Sequence, residues 1–282
     1  KNFRGINSGV GTSFADNLIL DIRNELNLKG RLISLFTKLP FLKKIYEAQK
    51  NVTLNHINNY LKTQAVLYEK DKLVEQLIEK YKFNNSLEFG CVQKFFKNDK
   101  EYSCFYLEIA NRTENISKFI NFRNLKSYFE IGGGFGANIH FLINNFKNIK
   151  KIVYLDVVPN LFVGTQYLKK IFGNSVIDYL KTKNLSEINF KMDDNLEILC
   201  IAPWQIEKLN VKCDHFHNAA SFVEMPFNVI ENYSNYINKI VSTISLVSYD
   251  QYDNETFNPE ELNKFFENKL KVLKYFKLIH EL

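Results

Sequence analysis

The stretch FEIGGGFGANIHFL, residues 129–142, sets Gly132, Gly133, Gly134 and Gly136 just after an acid, Glu130. Glycine lets the backbone turn with positive φ and come close to a ligand, and the helix that follows such a turn offers free N–H groups. Two ligand chemistries fit the spacing. Gly132, Gly134 and Ala137 form G-x-G-x-x-A, which suits a dinucleotide whose pyrophosphate rests on the helix N-terminus. Glu130, Gly132, Gly134 and Gly136 form E-x-G-x-G-x-G, which suits the amino-acid end of S-adenosylmethionine.

Two acids bear on this choice. Asp156 follows the glycines by about twenty residues, the separation at which a carboxylate meets ribose hydroxyls in either nucleotide reading. Glu130 separates the two. A carboxylate there opposes a pyrophosphate, whereas S-adenosylmethionine brings an ammonium and a sulfonium that an acid balances. A dinucleotide-dependent sugar oxidoreductase or epimerase remains the alternative, against which stand Glu130 and the absence of a Y-x-x-x-K pair after the fifth strand.

A second cluster, CDHFHNAASFVEM at residues 213–225, holds His217, Ser221 and Glu224. If the ligand is the methyl donor and the acceptor a hydroxyl, transfer needs the oxygen positioned in line and its proton removed. His217 has a suitable ordinary pKa, and Glu224 would need its own raised by burial. Both are catalytic candidates, while Ser221 and Glu224 are candidates for holding an acceptor. Cys213, His215 and His217 alternate, but ligands on one extended strand step apart by about 7 Å. They cannot converge on a zinc with bonds of about 2 Å, so no metal is expected. Asp193 and Asp194 read as a loop.

The elements that must position these residues follow from periodicity. Apolar residues recur at helical spacing from about residue 14 to 83, and again from about 105 to 121. From residue 126 short apolar runs alternate with amphipathic helices, the pattern of a parallel sheet built from βαβ units. The expected strands are SYFEI, KIVYLD, LEILCIA, CDHFHNAA and STISLVSY, with FKLIHEL as an abbreviated edge. Gly173 is a helix stop, and Asn258 with Pro259 a helix start. The expected fold class is therefore α/β, with a helical N-terminal region over 1–122 and a Rossmann-like domain over 123–282.

Composition excludes little. The chain has 282 residues, 45% hydrophobic and 24% charged, and a net charge of +6. Its lysines are scattered among acids without a basic run, so no nucleic-acid partner is expected, although an acidic or phosphate-bearing substrate would be tolerated. No apolar stretch approaches a membrane span and no secretory leader is legible after Lys1. Four cysteines without C-x-x-C pairing fit reduced thiols in a cytoplasm.

FEIGGGFGANIHFL, YLDVVPNLFVGTQYL, IAPWQIEKL and HNAASFVEM together resemble the sugar O-methyltransferases found among surface-polysaccharide biosynthesis proteins, within the class I S-adenosylmethionine-dependent methyltransferases. The resemblance covers roughly residues 126 to 250. NFRG near the N-terminus, which contains Arg4, is similar too, and makes Arg4 an acceptor-binding candidate. The chain departs from the family at Val158, where a second proline is usual before Pro159.

The resemblance implies S-adenosylmethionine as cofactor and a sugar hydroxyl as acceptor, on a glycan or a nucleotide-linked sugar for a bacterial capsule or lipopolysaccharide. It implies Glu130, Gly132, Gly133, Gly134 and Gly136 at the methionine part and Asp156 with Val157 at the ribose. Ala202, Pro203 and Trp204 would border adenine, and Asn218 would lie beside the transferred methyl. A catalytically inert methyltransferase-like subunit is a further alternative.

Overall fold

The computed structural model describes Lys44 and residues 71–89, 94–248, 264–266 and 269–275. Arg4, most of the expected helical N-terminal region, the helix start at Asn258 and the segment FKLIHEL lie outside the described residues. The chain divides into two compact units, 1–76 with 85–105, and 77–84 with 106–282. Helix α1, Lys72–Lys80, crosses from one to the other.

The first unit contains a hairpin that periodicity had not indicated. Strands β1 (Lys94–Lys97) and β2 (Lys100–Ser103) pair antiparallel around Asn98 and Asp99, whose φ values of 52° and 59° match the primed turns of two-residue hairpins. Phe95 stacks on Tyr102 with ring centroids 5.6 Å apart.

The second unit takes in, after residues 77–84, most of helix α2, Cys104–Ser117, and holds a seven-stranded sheet. In chain order its elements are β3 (Ser127–Ile131), α3 (Ala137–Asn145), β4 (Lys151–Leu155), α4 (Val158–Phe172), β5 (Val176–Ile177), α5 (Tyr179–Thr182), β6 (Glu197–Ile201), β7 (Cys213–Ala219), α6 (Phe227–Ile240), β8 (Val241–Ser248) and β9 (Leu270–Tyr275). The sheet order is β5-β6-β4-β3-β7-β8-β9, with every neighbouring pair parallel. This is the doubly wound α/β arrangement, with a two-residue strand added at one edge and a last strand earlier than FKLIHEL at the other.

Burial on both faces explains why the central strands read as continuous apolar runs: all five residues of β3 and of β6 are buried. One face packs Phe129, Ile131, Phe216, Ile244 and Leu246 against Ile230 and Ile237 of α6. The opposite side of β3, β7 and β8 carries Tyr128, Glu130, His215, His217, Thr243 and Ser245, in rows fixed by the register Tyr128↔His215↔Thr243 and Glu130↔His217↔Ser245. The sheet grows from β3 in one direction through β4, and in the other through β7. The crevice beyond the carboxyl ends of β3 and β7 is thus the switch point where ligands bind in such sheets. Among the described residues no helix is long and apolar enough to cross a membrane.

Candidate functional site

The glycine turn leaves the end of β3 under tight constraint. The Gly132 N–H donates to the Leu155 carbonyl at 2.9 Å, extending the β3–β4 ladder by one step. Gly132 has φ 75°, and a Cβ there would lie 2.1 Å from the Ser221 hydroxyl, so no other residue fits unchanged. Gly134 has φ 59° but opens onto space, with nothing within 4 Å of an added Cβ. Gly136, also at positive φ, begins α3.

Two residues that sequence reasoning did not single out hold this turn from the α4 side. The Tyr154 hydroxyl donates to the Gly134 carbonyl at 2.5 Å and lies 3.1 Å from that of Asn160. Gly164 allows the approach, because a Cβ on it would sit 2.3 Å from the Tyr154 hydroxyl oxygen and 2.9 Å from the Gly134 carbonyl. An isolated glycine inside a helical pattern was the available signal for this close packing.

Asp156, buried at the end of β4, accepts the Gly134 N–H at 2.8 Å through Oδ2 and the Val157 N–H at 2.7 Å through Oδ1. Burial pushes its carboxyl up to about 7, against the pull of those two N–H groups and of Asn160. Glu130 is 2% exposed and accepts the Asn138 amide at 2.9 Å through Oε1. Its Oε2 is buried with no hydrogen-bond partner among the described residues. That oxygen faces the turn, 3.0 Å from where a Cβ on Gly133 would lie. Burial raises Glu130 to about 7 as well, opposed by the Asn138 bond and the Arg112 charge and reinforced by Asp156.

Across the switch point, Asn218 at the end of β7 uses its whole amide on the loop. Its Nδ2 donates to the Ile131 carbonyl at 2.9 Å and to the Ser221 hydroxyl at 2.5 Å, and its Oδ1 accepts the Phe222 N–H at 3.1 Å. Ser221 also lies 3.3 Å from the Ile131 carbonyl. These bonds join the ends of β3 and β7, and they set Ser221 over Gly132.

His217 lies within the polar sheet face, 2% exposed, with Nδ1 2.8 Å from the Ser245 hydroxyl. Burial, reinforced by the Arg112 charge and the neighbouring His215, holds it well below the ordinary histidine range, so it is a weak proton acceptor. Glu224 ends the 3-10 turn Ser221–Glu224, and its side chain lies outside what is described. Ala202 is buried and donates its N–H to Gln205 at 2.8 Å, Pro203 starts the next turn, and Trp204 is 58% exposed. Val157 is 53% exposed at the end of the neighbouring strand, since Leu155 and Ile201 are register partners. Exposed apolar side chains at adjacent strand ends can receive a planar aromatic group.

The fold thus brings Glu130, the glycine turn, Asp156 and Val157 together, with Asn218 and Ser221 closing the β7 side. His217 stays inside the sheet face, two residues before the strand end. A buried carboxylate oxygen without a partner, aimed at an open glycine turn, suits a cationic group, and a pyrophosphate there would meet two buried carboxyls. Among the described residues no group of three or more His, Cys, Asp or Glu could hold a metal ion.

No family model and no curated protein matches the chain. Solved structures similar to it include the StiE O-MT, residues 961–1257, at 11% identity and a TM-score of 0.40, covering 58% of this chain and 53% of that one. Others are the pyocyanin biosynthetic protein PhzM, at 11% identity and 0.36, covering 57% and 44%, and human N-acetylserotonin methyltransferase in complex with SAM, at 9% and 0.37, covering 56% and 45%. The chain spans about half the length of these structures.

Proposed function

We propose that the chain is an S-adenosylmethionine-dependent O-methyltransferase whose acceptor is a sugar hydroxyl, free, nucleotide-linked or in a capsule or lipopolysaccharide glycan, made in the cytoplasm. The observation that carries the cofactor is the partnerless, buried Oε2 of Glu130 facing the glycine turn. The sugar rests on the resemblance of the four strand-end segments.

When bound, the cofactor supplies a methyl group made electrophilic by the sulfonium. Glu130 would take the amino-acid ammonium, and Gly134 leaves the space for that end to lie against the backbone. Asp156 would accept from ribose hydroxyls, with Val157 beside it, and Trp204 with Ala202 and Pro203 would border the base. Asn218 and Ser221 shape the edge at which the acceptor enters, and Ser221, Glu224 and Arg4 are the proposed acceptor contacts. Glu224 and His217 are the proposed receivers of the acceptor proton, and the deep burial of His217 supports the first of them.

Calorimetry with S-adenosylhomocysteine and with NAD(P) is the first test. Binding of the dinucleotide alone would overturn the reading. Labelled S-adenosylmethionine, incubated with nucleotide sugars and polysaccharide fragments and analysed by mass spectrometry, would then identify the acceptor. Label found only on a non-sugar acceptor would remove the sugar.

A further inference from the structure

Helix α2 lies outside every strand-end motif, yet it carries an acid and a base that form no hydrogen bond or ion pair among the described residues. Glu108 and Arg112 are four residues apart and so share a helix face. Neither makes a hydrogen bond or ion pair with a described residue, and the Arg112 Nε is buried with none. The helix is held in place by Tyr106, whose hydroxyl lies 2.5 Å from Nδ1 of His140 on α3 and 2.6 Å from the Tyr167 hydroxyl on α4.

Helix α3, on which α2 is anchored, bonds the polar sheet face through Asn138, 3.2 Å from the Tyr128 hydroxyl and 2.9 Å from Glu130 Oε1. The Arg112 charge acts on the same face, on Tyr128, Glu130 and His217. The first two are alternate residues of β3, and His217 is the register partner of Glu130 on β7. Arg112 is therefore on the helix anchored beside that polar patch and is felt by the Glu130 carboxyl, with which it forms no ion pair. A buried donor and a buried acceptor of opposite charge are each left unsatisfied. Leaving either so is costly, and a ligand with one anionic and one cationic group would satisfy both.

We propose that Arg112 receives the α-carboxylate of the cofactor's amino-acid end, so that Arg112 and Glu130 together hold a zwitterion. This rests on the methyl-donor reading above. The guanidinium is suited to it because Nε–H and a terminal N–H present two parallel donors to one carboxylate. Glu108 balances the Arg112 charge from the same helix face. The pairing also distinguishes ligands, since a dinucleotide has no zwitterionic end.

The test compares S-adenosylhomocysteine with 5′-methylthioadenosine, which keeps the nucleoside and thioether but lacks the amino-acid end. Calorimetry on the full chain should show Arg112→Gln weakening S-adenosylhomocysteine about 30-fold or more, as expected for truncating a buried charge pair, with 5′-methylthioadenosine held within about 3-fold. Arg112→Lys keeps the charge and loses the fork, so it should lose several-fold on S-adenosylhomocysteine alone, and it serves if the glutamine variant does not fold. Unchanged binding of both ligands by a folded variant, or equal loss of both, overturns the assignment. Failure of the wild-type chain to bind either ligand overturns the methyl-donor reading, and the assignment with it.

Discussion

The Gly134 N–H donates to Oδ2 of Asp156 across 2.8 Å, tying the open end of the glycine turn to the end of β4. With the Val157 N–H on the other oxygen, the carboxyl accepts from two backbone donors at once. Asparagine at this position keeps one acceptor and points an N–H₂ at the other donor. Asp156→Asn should cost about 1–3 kcal/mol of stability, the penalty of a buried unsatisfied donor, read from urea unfolding. It should also weaken S-adenosylhomocysteine in calorimetry, and an unchanged affinity would remove Asp156 from the cofactor site.

Gly132 and Ser221 make a matched pair. Gly132→Ala places a methyl against the Ser221 hydroxyl in addition to the positive φ. Adding Ser221→Gly removes the collision and leaves the backbone term of about 1–2 kcal/mol. The double variant should therefore unfold at a higher temperature than the single one. If it does not, the two residues are not in contact.

Gly134 should behave in the opposite way. Its Cβ would meet nothing, so Gly134→Ala should cost only the backbone term of about 1–2 kcal/mol. The added methyl instead occupies space proposed for the ligand, so binding should fall further than stability. Wild-type affinity in this variant would place the ligand elsewhere.

The two buried acids predict a pH dependence whose sign differs for folding and for binding. Glu130 and Asp156 stand near 7 in the folded chain, above their ordinary values of 4.5 and 3.8. Folding therefore takes up protons, and the stability this contributes is full below about pH 4 and lost as pH rises toward 7, by about 3 kcal/mol for Glu130 and about 4 kcal/mol for Asp156. Glu130→Gln should be relatively more stable than wild type at pH 8 than at pH 5, measured in urea. A cationic ligand needs the carboxylates, so cofactor affinity should rise up to about pH 7 and then level off. A flat binding profile would show that Glu130 does not face the cation.

Much of the sheet is legible in the sequence because its central strands are buried on both sides. SYFEI, KIVYLD, LEILCIA, CDHFHNAA and STISLVSY each contain the strand later seen, within a residue or two. The hairpin at Lys94–Ser103 is less so: its strands are four residues each, too short to show a period, although the adjacent Asn98 and Asp99 offered a turn signal. Val176–Ile177 is shorter still. In the site, Glu130 and Asp156 are legible because strand ends and glycine spacing are local facts. Tyr154 reads as one more aromatic in an apolar strand, and Arg112 as one charge on a helix. Their importance arises only when α2 and α4 pack onto the sheet, which is a relationship between distant segments.

The polar sheet face also fixes where its protons lie. Thr243 gives its hydroxyl proton to the Asp214 carbonyl at 2.8 Å, so it can only accept from His215 Nδ1, 2.9 Å away. Burial holds His215 at about 3, hence neutral, which leaves its Nε2 bare and able only to accept from Ser245 at 2.8 Å. A hydroxyl has one proton, so Ser245 must in turn accept from His217 Nδ1. His217 is therefore the Nδ1–H tautomer with a naked lone pair on Nε2, and a carbonyl near the start of β7, relayed through two hydroxyls of β8, determines which nitrogen of an imidazole three residues along the same strand can take a proton.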